Sequence, residues 1–122
     1  MRAVQHLKQK DYAGEVAALH AYVRDQVRYV RDIDGVETLQ TPEQTLNLGQ
    51  GDCDDKSTLL AAMLASLGHK ARFEAVGFQP GRYSHVFVSA KLRDKWVPLE
   101  TTLPVPMGWA PPRIAERTAL EL

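Results

Sequence analysis

Between positions 11 and 31, Val16, Leu19, Val23, Val27 and Val30 stand three or four residues apart, while Arg24, Asp25, Arg28 and Arg31 fall mainly on the other side. That spacing predicts an amphipathic helix. Asp32-Ile33-Asp34-Gly35 reads as a turn. Thr41-Pro42-Glu43-Gln44 then combines an N-cap Thr, a Pro at the first helical position and a Gln at the capping-box position, predicting a short helix to about Leu48. A tight, Gly-bearing approach, Leu48-Gly49-Gln50-Gly51-Asp52, leads to Cys53. From Cys53 or Asp54 to Leu67 a further helix carries one broad apolar face of Leu59, Leu60, Ala62, Met63, Leu64 and Leu67. Asp54 and Asp55 suit its first turn, and Gly68 is its stop. So apolar a helix belongs against a sheet, where it would hold its first residues rigidly.

Beyond Gly68 the period changes from near four to two. Residues 71–78 read as a strand and Gln79-Pro80-Gly81-Arg82 as a turn. Residues 83–91 alternate, with His85, Phe87 and Ser89 on one face and Val86, Val88 and Ala90 on the other. Leu92-Arg93-Asp94-Lys95 is a charged turn, and residues 96–99 form a short strand ending at Glu100. Helices followed by an antiparallel meander of at least three strands make an α+β plan. Pro104, Pro106, Pro111 and Pro112 predict an irregular tail over 103–122, with a short helix at 114–122. The expected organisation is one domain, 1–122, with its core at about 11–102.

Composition narrows the function classes. Fifteen Lys and Arg balance fifteen Asp and Glu among 122 residues, so charge offers no case for nucleic acid or an anionic membrane surface. No apolar run approaches the roughly 18–20 residues of a membrane-spanning helix. The first residues lack the apolar centre of a signal peptide, and a lone cysteine forms no internal disulfide. The expectation is a soluble, cytoplasmic protein. No Gly-rich phosphate loop occurs, and the four His and one Cys lack zinc-ligand spacing. Asp52, Asp54 and Asp55 lack the alternate-position loop and closing Glu of a calcium site. Neither a metal nor a cofactor is expected.

The chemistry centres on Cys53. A thiol at a helix start meets unpaired N–H groups and the positive end of the helix dipole, which favour thiolate. Cysteine is also often a small buried apolar residue, but three neighbouring carboxylates are poor company for full burial. Those carboxylates oppose a thiolate, so a reactive Cys53 needs a cation, and His85 is the candidate. His6 lies near the chain start, His20 on the first helix and His69 in a loop; only His85 sits in a strand of clear facing. If the last two strands pair about a turn centred near Asp94, position 100 falls near position 88, with His85 a step or two further along. Glu100 would then orient the imidazole, whereas Asp94 lies at the wrong end of the hairpin. Arg72 reads as a solvent-face charge or as a partner of one of the Asp residues.

These residues carry a family likeness. Gly51-Asp52-Cys53-Asp54-Asp55-Lys56-Ser57-Thr58-Leu59-Leu60 resembles the nucleophile motif of the transglutaminase-like superfamily. Leu67-Gly68-His69-Lys70-Ala71-Arg72, the His85-Val86-Phe87-Val88 strand and Trp96-Val97-Pro98-Leu99-Glu100-Thr101-Thr102 resemble its further motifs, so the likeness spans about 22–102. It implies a papain-like α+β core with the nucleophile helix packed on an antiparallel sheet. Cys53 would be the nucleophile, His85 the general base and then acid, and Glu100 the orienting group where the family usually has Asp. The implied chemistry is acyl transfer from an amide through a thioester, with the Cys53 N–H as one oxyanion donor and Gln50, Asn47 or Gln44 as the second. The superfamily includes crosslinkers, proteases, deamidases and inactive binding modules. Hydrolysis of a peptide or isopeptide bond in a protein or peptide substrate is the expected outcome, because small bacterial members are more often peptidase-like. The alternatives are a crosslinking transglutaminase and a non-catalytic module in a larger assembly, such as a phage or prophage structural or processing protein.

Overall fold

Leu59, Leu60, Ala61 and Leu64 lie on α3 (Cys53–Ser66) and are buried in one cluster with Val16 and Val23 of α1 (Tyr12–Gln26). Val88 and Ala90 of β4 (His85–Leu92) and Leu99 of β5 (Lys95–Leu99) complete that cluster from the sheet side. In this computed structural model, which describes residues 11–31 and 40–122, α3 is therefore the central helix that its apolar face predicts. The expected turn at 32–35, and His6, lie outside the described residues. Further elements are β1 (Arg28–Tyr29), α2 (Pro42–Leu48), β2 (Gln50–Gly51), β3 (Ala71–Gly77) and β6 (Glu116–Glu121). The main sheet runs β5-β4-β3-β6, every pair antiparallel, and its meander of β3, β4 and β5 is the expected one.

The first helix stops five residues short of position 31. Val27 is extended (φ −107°, ψ 109°), and the chain continues as β1, parallel to β2. The Arg28 N–H donates to the Gly49 carbonyl at 2.8 Å and the Val30 N–H to the Gly51 carbonyl at 2.9 Å. Val30 consequently falls outside the core, at 37% exposure. The short helix follows its sequence signals closely. Thr41 and Gln44 form a reciprocal capping box, Pro42 opens α2, and Gly49 closes it at φ +67°.

The β4–β5 turn differs from expectation by one residue, with consequences. Arg93 (φ +50°) and Asp94 (φ +66°) both occupy left-handed backbone, as a two-residue hairpin turn requires. Leu92 therefore pairs with Lys95, and Val88 pairs with Leu99 rather than lying near position 100. Since one step of register exchanges the two faces of a strand, continuing the ladder sets Glu100 opposite Phe87, on the side that His85 faces.

The chain after Thr102 is irregular as expected as far as residue 115, but the expected terminal helix is a strand. The Gly108 N–H reaches the Pro98 carbonyl (2.9 Å) at one edge of the meander, and the Ala115 N–H reaches the Gly77 carbonyl (2.8 Å) at the other. Residues 103–115 thus cross the sheet irregularly, and 116–121 then form β6, with Gly77 opposite Glu116 and Arg72 opposite Glu121. Tertiary pairing overrides local propensity here because β3 has an open edge and a buried charge to satisfy. Glu74, 1% exposed, accepts from the Ser89 hydroxyl of β4 and from the Arg117 guanidinium of β6, whose Nε lies at 2.8 Å. Arg72 joins this cluster at 3.7 Å and stacks over Trp96, 4.4 Å from the ring centroid. It is neither a free solvent-face charge nor a partner of the aspartates near Cys53.

Candidate functional site

The start of α3 is built by its carboxylates. Asp52 is the N-cap and accepts from the Asp55 N–H at 2.9 Å, while Asp55 accepts in return from the Asp52 N–H at 3.1 Å. Asp55 also receives the Gln40 N–H at 3.2 Å. Burial raises the Asp55 carboxyl above its usual range, and these backbone donors pull it partly back. Gly51 is needed on the approach, since a Cβ there would lie 2.6 Å from that of Asp55. Two of the three acids around Cys53 are thus spent on shaping the turn. Cys53 itself is half-buried at the first helical position.

Along the helix, the buried Ser57 donates its hydroxyl to the Val86 carbonyl at 3.3 Å, tying the first turns of α3 to the strand residue next to His85. His85 opens β4 opposite Val76. Its Nε2 lies 2.5 Å from Oε2 of Glu100, and Cys53 is near enough for its side chain to raise the imidazole as well. Burial alone would lower the imidazole, but the bonds to Cys53 and Glu100 and the Glu100 charge outweigh it and lift His85 to about 9. Glu100 is fully buried, at 0% exposure. Burial pushes its carboxyl up, yet His85 and Thr102 more than compensate and hold it below the usual value. Thr102 supplies its N–H at 3.1 Å and its hydroxyl at 2.9 Å, both to Oε1.

Two supporting residues escape a motif-based reading. His20, 1% exposed, donates from Nε2 to the Glu100 carbonyl at 2.6 Å. Burial lowers its pKa, so at neutral pH it is an uncharged brace for the Glu100 backbone. Its place on the Val16–Val23 stripe was the available signal. Lys56, also 1% exposed, donates to the carbonyls of Val27 (2.7 Å) and Arg24 (3.4 Å), closing the end of α1. Burial lowers its ammonium to about 8, the Glu100 charge opposing that shift. Nothing in the sequence distinguishes this lysine from a solvated one.

The structure therefore brings Cys53, His85 and Glu100 together. The oxyanion candidates are spread along the approach: Gln44 is in the α2 cap, where its side-chain oxygen accepts from the Thr41 N–H, while Asn47 on α2 and Gln50 on β2 are exposed. Asp94 is at the hairpin turn, and His69 pairs with Glu15 at 2.6 Å, edge-on to Tyr12. Among the described residues no group of three or more His, Cys, Asp or Glu is placed to hold a metal ion, and no helix is long and apolar enough to cross a membrane.

Comparison with known proteins reaches the same region. The family model of the transglutaminase-like superfamily matches residues 2–101. No curated protein matches the sequence. A solved candidate cysteine protease from Cytophaga hutchinsonii is similar at TM-score 0.60 and 17% identity, over 99% of this chain and 48% of that one. Calcium-bound LapG from Legionella pneumophila is similar at TM-score 0.63 and 14% identity, over 84% of this chain and 61% of that one. Identities this low carry the fold alone, and this chain spans about half to three-fifths of their lengths.

Proposed function

The chain belongs to the transglutaminase-like superfamily, and from that premise we propose that it is a cysteine-dependent acyl-transfer enzyme that hydrolyses a peptide or isopeptide bond. The observation that carries the proposal is one imidazole bonded to a fully buried carboxylate, with the half-buried Cys53 thiol near enough to raise it further. A buried carboxylate that raises a neighbouring His favours catalysis over a groove built only for binding.

In the proposed reaction, His85 holds the proton that Cys53 gives up, and the thiolate attacks the amide carbonyl. The C–S bond forms, and the carbonyl oxygen takes the electron pair beside the Cys53 N–H. Gln50, Asn47 and Gln44 are the proposed second donors, each through its side-chain amide N–H; the α2 cap engages only the oxygen of the Gln44 side-chain amide. His85 passes its proton to the leaving nitrogen as the C–N bond breaks, leaving a thioester. Water then attacks with His85 as base, and the thiol is regenerated as the acid departs. An amine in place of water would give crosslinking from the same intermediate. The substrate class is protein or peptide, and no step calls for a cofactor.

The test is the pH dependence of Cys53 alkylation by iodoacetamide, in the native protein and in His85→Ala. Rapid labelling well below pH 8.5, the ordinary thiol range, and its loss in His85→Ala are expected, with no labelling in Cys53→Ala. An ordinary thiol titration in both proteins would point to a non-catalytic relative.

A further inference from the structure

Beside His85 and Glu100 opens a cavity of about 440 Å³. Its apolar wall is assembled from separate parts of the chain: Tyr29 of β1, Phe78 just after β3, and Leu103 and Pro111 of the crossing segment. Phe78 and Leu103 are 45% and 46% exposed, although both sit beside the most buried carboxylate of the site. The wall is held in place by backbone. A Cβ on Gly77 would lie 1.4 Å from the Arg82 carbonyl oxygen, so only glycine lets the β3–β4 loop fold back over the end of β3. The Ser84 N–H then returns to the Val76 carbonyl at 2.9 Å, setting Phe78 next to His85. Phe78 and Ser84 also line a second opening of about 310 Å³, with Gln79 and Arg82.

The chamber contains His85 in its wall but not Cys53. In an acyl transfer the histidine serves the leaving nitrogen, so an occupant of this chamber lies on the amine side of the bond. We propose that the chamber takes the residue on the amine side of the scissile bond and selects a large apolar side chain, aromatic or branched. This rests on Cys53 and His85 being the reacting pair. The volume fits, since roughly 150 Å³ suffices for benzene in an apolar cavity.

Two chloroacetamides test this, one bearing an N-phenethyl group and one an N-hydroxyethyl group, each normalised to its rate with glutathione. Cys53 displaces chloride from either, forming a C–S bond and placing the nitrogen substituent on the amine side. The phenethyl reagent is expected to label Cys53 at least tenfold faster than the hydroxyethyl one. Phe78→Ser and Leu103→Ser should each cut that ratio at least threefold, whereas Leu67→Ser, at the far end of α3, should leave it intact. A native ratio within twofold of unity overturns the proposal, as does an equal loss in Leu67→Ser. The hydroxyethyl reagent reports separately on the reacting pair. If its rate follows an ordinary thiol titration and is indifferent to His85→Ala, the amine-side assignment falls together with the catalytic reading, and a retained ratio would then mark a binding pocket only.

Discussion

Glu74 and Glu100 are equally hidden, at 1% and 0% exposure, yet they keep different company. Glu74 faces the guanidinium of Arg117, with Arg72 nearby and a hydroxyl from Ser89. Glu100 faces an imidazole that also has the Cys53 thiol nearby. A buried carboxylate demands a cation in either case. A guanidinium holds its proton at any pH a protein survives, so the Glu74 cluster locks β6 to β3 and β4. The imidazolium of His85 gives up its proton near 9, so the Glu100 pair can exchange one within reach of neutral pH. The same electrostatic demand yields a fastener in one place and, in the proposed reaction, a proton carrier in the other, and the cation decides which.

The contrast breaks most sharply at Glu100. Glu100→Gln keeps size and packing but removes the charge that orients and protonates His85. It should lower kcat by up to about 10⁴-fold, the loss when the acid of a Ser-His-Asp triad is neutralised. Substrate affinity should change far less, and a fall in affinity alone would reassign Glu100 to the groove. The matching change on the other side, Arg117→Met, leaves Glu74 buried with less compensation. It should cost about 2–4 kcal/mol in urea unfolding while the rate per folded molecule holds. If activity collapsed while stability held, the two carboxylates would not be separable in this way. The smallest effect is a displacement in pH. Activity should fall above about 9 as His85 deprotonates. Because Glu100 raises the imidazole, Glu100→Gln should move that limb to lower pH, and Arg117→Met should leave it in place, as read from kcat/KM across pH 5 to 10.5.

What the sequence disclosed follows the range of the forces involved. Both α2 and α3 were legible because end signals are local: Thr41, Pro42 and Gln44 open α2, Asp54 and Asp55 lie in the first turn of α3 and Gly68 follows its end, although the reciprocal box between Asp52 and Asp55 was not read. Cys53, His85 and Glu100 could be grouped because a helix start and one hairpin suffice to bring them near each other. The exact partner of position 100 was missed by one residue, since two left-handed residues, Arg93 and Asp94, set the turn and neither is the glycine or asparagine that usually betrays such backbone. The reading failed where the reason was distant. β6 exists because of Glu74, over forty positions earlier, and Lys56 is buried because two carbonyls of another helix await it. His20 lay in view on an apolar stripe, but its partner is 80 positions away.

The position of β6 also bears on how the molecule is made. Cys53, His85 and Glu100 are all synthesised before residues 116–121, and the strand that covers the outer edge of β3 comes only after the crossing segment has been laid over the sheet. Until β6 pairs, β3 presents unpaired backbone along that side, the kind of edge that recruits strands from other molecules. Pairing across more than forty positions is slow compared with closing the hairpins. The outer edge of β3 is therefore the side of the fold most open to other chains whenever β6 is not in place, and the Arg117–Glu74 contact is one of the bonds that keep it covered.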